Sequence, residues 1–309
     1  MFLKKSNKLI LFIACFVTSV IQINAQQDPQ YTMYMFNTMS VNSAYAGTND
    51  HALISGLHRS QWVGLDGAPS TQTLSFDTPI NKRVGIGFSV VNDEIGPSNE
   101  VLLDGNFSYK IPLTAKTKLS FGIKAGARLL NVDFTKGATA SSLDSAFENN
   151  IDNQFMPTIG VGALLYTNSS YLGLSIPNFI ETEYYDADTG LIAEERFHVF
   201  LIGGYVFDLK RNIKFKPAFL TKLVEGAPLS VDLSGSLYFN DKVHVGISYR
   251  WDDSVSAIVG IHITKQLMVA YAYDLTTTDL GNYNNGSHEI ILQYRFFKNK
   301  TKFRSPRYF

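Results

Sequence analysis

Val84-Gly85-Ile86-Gly87-Phe88-Ser89-Val90-Val91 is the stretch whose reading decides the fold. Val84, Ile86, Phe88 and Val90 occupy every second position, with Gly85, Gly87, Ser89 and Val91 between them. Successive side chains of an extended chain point to opposite faces, so a period of two makes one face apolar and the other small or polar. The pattern recurs on both sides. Val101, Leu103, Gly105, Phe107 and Tyr109 alternate with Leu102, Asp104, Asn106, Ser108 and Lys110. Leu119, Phe121, Ile123, Ala125 and Leu129 alternate with Ser120, Gly122, Lys124, Gly126 and Arg128. Farther along, Leu229, Val231, Leu233 and Leu237 alternate with Ser230, Asp232, Ser234 and Ser236. Ile290, Leu292, Tyr294 and Phe296 alternate with Glu289, Ile291, Gln293 and Arg295.

Such segments number about fourteen between residues 52 and 297. They fall near 52–58, 71–78, 83–92, 99–110, 116–130, 155–167, 170–176, 195–208, 211–222, 228–239, 242–251, 254–263, 266–274 and 286–297. A soluble sandwich alternates as well, because its outer faces are wet. The connections separate the two readings. Segment 59–70 is long and 79–82 short; long stretches follow residues 130 and 176; Asn168-Ser169, Leu209-Lys210 and Asn240-Asp241 read as tight turns; 275–285 is long. An even number of strands with short turns at one end and longer loops at the other defines an all-β, transmembrane, antiparallel β-barrel of the outer membrane. It is expected over residues 51–297, with short periplasmic turns, longer extracellular loops, and both chain ends on the periplasmic side.

A strand structure in lipid must close on itself to pair every backbone donor and acceptor. The apolar rows then face lipid. Asp104, Lys124, Arg128, Asp232, Glu289 and Arg295 are expected to point into the lumen. Tyr109, Tyr166, Tyr171, Tyr205, Phe207, Tyr238 and Phe239, near strand ends, are expected in the interfacial girdles. Leu233→Arg at mid-bilayer depth should cost about 2–4 kcal/mol, and Ser234→Arg, facing the lumen, far less.

Composition agrees. Charged residues make up 17% of the 309, below the roughly 25% usual for soluble domains. The 27 basic and 27 acidic residues balance, which gives no electrostatic reason to expect a nucleic-acid partner. The lone cysteine, Cys15, lies in a leader: Lys4, Lys5 and Lys8 precede an apolar run from Leu9 to Ile23, and Asn24-Ala25 reads as a cleavage site. Residues 1–25 are therefore expected to be a removed secretory signal, leaving no thiol for disulfides, catalysis or metal. A lipoprotein cut before Cys15 is the alternative, with a very short apolar run. Residues 298–309 are expected as a periplasmic tail.

No enzymatic motif stands out: no nucleophile elbow, phosphate loop or zinc-protease helix. Gly85-Ile86-Gly87 and Gly160-Val161-Gly162 lie inside alternating strands and are better read as relieving crowding inside a barrel. His51, His58, His198, His244, His262 and His288 lack ligand spacing. His288 and Glu289, adjacent on a strand, point to opposite faces and cannot share a site. Glu181, Glu183, Asp186 and Asp188 lack the calcium-loop pattern and read as a solvated loop. No catalytic residue, cofactor or metal is expected.

The segment 26–50 is not strand-like. Tyr31, Met33, Tyr34, Met35, Phe36 and Met39 are too apolar for a free tail. They are the candidate partner-docking residues, packing in the lumen or against a partner on the periplasmic side. Met and aromatic side chains adapt to irregular surfaces and suit either role. The function classes these residues leave open are a barrel that docks a partner protein and a porin-like passive channel for small solutes, either of them embedded in outer-membrane lipid.

Four blocks narrow this further: Asp28-Pro29-Gln30; Asn42-Ser43-Ala44-Tyr45-Ala46-Gly47; Arg59-Ser60-Gln61-Trp62; and Gly286-Ser287-His288-Glu289-Ile290, the last preceded by Tyr271-Ala272-Tyr273-Asp274. In this order they resemble the PorP/SprF family of type IX secretion system membrane proteins. Ser43 replaces the proline that many relatives carry. The resemblance covers essentially the whole chain after the leader. It implies an outer-membrane barrel that works with type IX translocon components in export or surface attachment of a secreted, adhesin-like cargo, commonly in gliding motility.

Overall fold

The computed structural model describes residues 29–136, 150–180, 182–185, 192–195 and 197–296. The expected signal at 1–25, the tail at 298–309 and the acidic side chains between 181 and 188 lie outside the described residues.

The strands are β1 (Ala52–Ser60), β2 (Ser70–Pro79), β3 (Val84–Ile95), β4 (Ser98–Pro112), β5 (Lys118–Val132), β6 (Ile151–Tyr166) and β7 (Ser170–Ile176). A small hairpin of β8 (Thr182–Tyr185) and β9 (Ile192–Glu195) follows, then β10 (His198–Tyr205), β11 (Phe207–Lys210), β12 (Ile213–Val224) and β13 (Ser230–Phe239). β14 (Val243–Arg250), β15 (Ser254–His262), β16 (Leu267–Thr276) and β17 (Ser287–Phe296) complete the chain. Sequence neighbours pair antiparallel, and β1 pairs with β17 from Ala52↔Phe296 to Ser60↔His288. β10 and β11 both pair with β12, and β10 also with β7, so the sheet closes on itself. β10 and β11 are two halves of one stave, which makes a closed barrel of fourteen. Among the described residues no helix is long and apolar enough to cross a membrane.

The alternation read from sequence is the wall's inside–outside pattern. Phe88, Phe107, Phe121, Ile123, Leu233 and Ile290 are exposed on the outer face. Lys124, Arg128, Asp232 and Glu289 are buried inside. The girdle expectation holds for Tyr109, Tyr205 and Phe207, which are exposed. It fails for Tyr166, Tyr171 and Tyr238, which are buried on the inner face. Parity is the reason: Tyr238 and Phe239 are adjacent and cannot face the same side, and Tyr166 pairs directly with Tyr171 on the inward row.

The turns 80–83, 113–117, 167–169, 211–212, 240–242 and 263–266 are all short and lie at one end. Asn240 and Asp241 both have φ of 53°, the left-handed pair of a tight hairpin turn. At the other end 61–69, 133–150, 177–197 and 277–286 are long, but 96–97 and 251–253 are as tight as any turn opposite. Both of those carry a left-handed residue, Gly96 (φ 55°) and Asp252 (φ 56°), which allows so close a reversal. β1 begins and β17 ends at the short-turn end. The chain ahead of β1, however, runs back up the lumen, so Pro29 and Gln30 lie toward the long-loop end beside Lys222 and Ser230. The ends of the chain themselves, expected on the short-turn side, lie outside the described residues.

Candidate functional site: a latched lumen segment

Residues 29–51 contain no strand. They form two single 3-10 turns, Thr38–Ser40 and Ser43–Tyr45, and otherwise irregular backbone. Tyr31, Met33, Tyr34, Met35, Met39, Val41, Ala44, Tyr45 and Ala46 are all buried. They form one apolar cluster with wall residues that include Leu164, Ile202, Leu220, Ile258, Met268 and Ile291. Phe36 packs against the edge of this cluster, its ring 5.0 Å from that of His244. The segment occupies the middle of the lumen, beside a cavity lined by Phe36, Met39, Asp77, Tyr238 and Arg295, and burial pushes the Tyr34 and Tyr45 phenols well above their ordinary range.

Irregular backbone buried in a barrel needs partners for its N–H and C=O groups. The wall supplies them in two ways. On the β1–β16–β17 side the grip is ionic. Glu289 Oε2 accepts from the Thr32 amide at 2.8 Å and Oε1 from the Met33 amide at 2.9 Å. Arg59 Nη1 lies 2.8 Å from Glu289 Oε2 and 2.7 Å from Asp274 Oδ2. It also donates to Thr32 Oγ1 at 3.0 Å, and that hydroxyl donates to Asp274 Oδ2 at 2.7 Å. Arg250 Nη2 adds a contact to the Tyr31 carbonyl at 3.4 Å while its Nε holds Asp232 at 2.9 Å. One guanidinium thus serves two carboxylates in a site that is almost fully buried.

On the β2–β7 side the grip is mainly neutral, with Lys110 and Asp77 only at its Gly47 end. Ser175 donates to the Val41 carbonyl at 2.7 Å, Ser120 to that of Ala44 at 2.8 Å and Ser108 to that of Ala46 at 2.6 Å. Asn42 caps its own turn by accepting from the Ala44 amide at 2.9 Å and donates to the Ala163 carbonyl at 3.1 Å. Lys110 reaches the Gly47 carbonyl at 2.5 Å, and Asp77 accepts from the Gly47 amide at 3.0 Å. The segment comes this close because the wall lacks side chains there. A Cβ on Gly85 would land on the Ala46 carbonyl, one on Gly122 on the Ala44 amide, and one on Gly162 on the Asn42 side chain. Gly85 and Gly162, read as crowding relief, do that work for the lumen segment.

Of the four blocks found in sequence, the third and fourth meet in space, and the first two belong to the segment that they and the opposite wall hold. Pro29 and Gln30 enter the lumen, Asn42–Gly47 is the neutral grip, and Arg59, Asp274 and Glu289 form the ionic one. Above the latch the Trp62 amide donates to Ser287 Oγ at 3.1 Å, and the Val63 amide to the Gly286 carbonyl at 2.9 Å. Sequence reading placed Glu289 in the lumen but did not join it to Arg59 and Asp274. Opposite charges at inward parity near the ends of neighbouring strands were the signal available. His288 and Glu289 do diverge: His288 Nδ1 lies 2.6 Å from Tyr271 OH, while Glu289 is buried inside. Among the described residues no group of three His, Cys, Asp or Glu side chains is arranged to hold a metal.

A closed antiparallel barrel with an apolar outer face is an outer-membrane β-barrel, here with its lumen occupied by its own N-terminal segment. The chain belongs to the family of type IX secretion system membrane proteins PorP/SprF, whose family model matches residues 23–294. No curated protein matches the chain significantly. Among solved structures it is similar to the toluene transporter TbuX of Ralstonia pickettii, with 13% identity, 85% of this chain and 93% of that one covered, and a TM-score of 0.49. A FadL homologue of Pseudomonas aeruginosa matches at 12% identity, 87% and 95% coverage and a TM-score of 0.47. The outer membrane protein Omp33 of Acinetobacter baumannii matches at 12% identity, 81% and 100% coverage and 0.46.

Proposed function

We propose that this barrel is an accessory of the type IX secretion system that supports export or surface attachment of an adhesin-like cargo, and not a passive solute channel. The observation that carries the reading is the lumen segment, held by the Arg59–Asp274–Glu289 latch and packed through Met33, Tyr34 and Met35. A porin needs an open, hydrated lumen; here the middle of the lumen is protein. Tyr31, Met33, Tyr34, Met35, Phe36 and Met39 face the barrel interior in this state, so they become docking surface for translocon or cargo only when the segment leaves it. Family membership supplies the secretion context, and gliding motility is the setting in which such a cargo would act.

Two measurements test this. Purified protein in planar bilayers should be electrically silent, and deletion of Gln30 to Met39 should produce a conducting pore. In cells, the deletion should reach the outer membrane at normal level and lose cargo display, and the wild type should co-purify with a surface adhesin or a translocon subunit. Steady conductance by the intact protein, with normal display by the deletion, would replace the proposal with the channel reading.

A further inference from the structure

The outward rows of the wall do not fade into polar residues at the short-turn end. The row Leu74, Phe76, Thr78 ends in Ile80, and the row Phe107, Tyr109, Ile111 ends in Leu113. Tyr205 and Phe207 lead to Leu209, and Val259 and Ile261 to Ile263. Ile80, Leu113, Leu209 and Ile263 are between 53% and 57% exposed, on or next to tight turns where no described residue covers them. Side chains of this kind, so exposed, belong in the acyl–headgroup boundary and not in water.

In each of these turns the apolar residue is followed within three positions by exposed cations: Lys82 and Arg83 after Ile80, Lys116 after Leu113, Lys210 and Arg211 after Leu209, Lys265 after Ile263. The turn after Phe239 carries Lys242. Of the six short turns, only the one at Thr167, Asn168 and Ser169 lacks a basic residue. Acids at this end are few, and Asp241 is held by Lys214 at 2.9 Å. The opposite rim has the reverse sign, with Asp66, Glu94, Asp252 and Asp279 exposed. Among the described residues one rim is therefore basic and the other acidic.

We propose that the short-turn rim is a collar for anionic phospholipid headgroups of the leaflet it touches. An apolar residue at the depth of the upper acyl chains, with a Lys or Arg one to three residues on, is the arrangement that seats a lipid phosphate: the stem lies along the hydrocarbon and the cation meets the headgroup. Repetition around the circumference makes the collar a property of the leaflet contact and not of a single pocket. An acidic periplasmic protein would find the same charge but would leave the four apolar residues unexplained. This inference is independent of the secretion role.

The test uses the purified full chain reconstituted in phosphatidylcholine with trace spin-labelled lipid. Spin-labelled phosphatidylglycerol should be motionally restricted by the barrel about fivefold more strongly than spin-labelled phosphatidylcholine, as expected for one basic contact per lipid. The preference should vanish at about 1 M salt, where screening acts within about 3 Å. It should be lost in the variant K82Q/R83Q/K116Q/K210Q/R211Q and kept in D252N/D279N. The salt arm needs no variant and so does not depend on the substituted barrel folding. Equal restriction of the two lipids by wild type, or a preference that survives the five substitutions, overturns the proposal. Equal restriction together with loss of cargo display in the five-fold variant would assign the rim to an acidic protein instead.

Discussion

The lumen segment is held on its two sides by different chemistry. Toward β1, β16 and β17 Glu289 takes the amides of Thr32 and Met33, while Asp274 and Arg59 hold the Thr32 hydroxyl and Arg59 bridges the two carboxylates. Toward β3–β7 serines and an asparagine meet carbonyls, and glycines let the backbone approach. The first grip is strong only while complete, because removing one partner strands a buried charge. The second is a sum of small contacts, each of which can be lost alone. The difference predicts which substitutions release the segment and which only loosen it.

The largest effect is expected from Arg59→Ala, which leaves Asp274 and Glu289 buried together without their cation. A loss of about 3–5 kcal/mol follows, read as a lower urea midpoint of the folded barrel in detergent and as protease access to the 29–51 segment. An unchanged midpoint would show that the latch is hydrated and cheap. Gly122→Val forces a side chain onto the Ala44 amide and should cost about 1–3 kcal/mol, on the neutral side alone. A wild-type unfolding curve for this variant would mean that the segment does not approach the wall there. Glu289→Gln keeps a carbonyl acceptor and leaves Arg59 paired with Asp274, so its cost should be about 1–2 kcal/mol. A loss equal to that of Arg59→Ala would place the strength of the latch in the Glu289 charge itself. Ser120→Ala removes one neutral bond to the Ala44 carbonyl and should cost about 1 kcal/mol; a larger loss would show that the neutral side acts as a unit.

Period-two alternation made the wall legible, because lipid outside and polar groups inside impose opposite demands on neighbouring residues. Asn240-Asp241 was legible as a turn for the same local reason. The interior was harder, since strand parity says which side a residue faces but not what it meets there. Tyr166, Tyr171 and Tyr238 read as girdle residues from their position near strand ends, yet their parity turns them inward, Tyr166 and Tyr171 into the core around the segment and Tyr238 against Val206. Ser234 faces the lumen as expected, but its hydroxyl lies 3.3 Å from that of Tyr34 in a filled interior. Ser234→Arg should therefore displace the segment, and the mild outcome expected for a wet lumen does not apply. The latch was out of reach of local pattern because Thr32 and Glu289 are 257 positions apart.

That separation bears on how the barrel is made. Arg59 and Glu289 are register partners across the seam where the first strand meets the last. Joining them is among the longest-range events in the chain, and such contacts are slow because a very long loop must close before they reward it. The segment just ahead of β1 offers the amides of Thr32 and Met33 to the carboxylate that the last strand must bring in. It thereby acts as an internal guide for closure: the end synthesised first carries the recognition site for the end synthesised last. Refolding into detergent with the 30–39 stretch removed should yield the barrel more slowly even where the final product is intact.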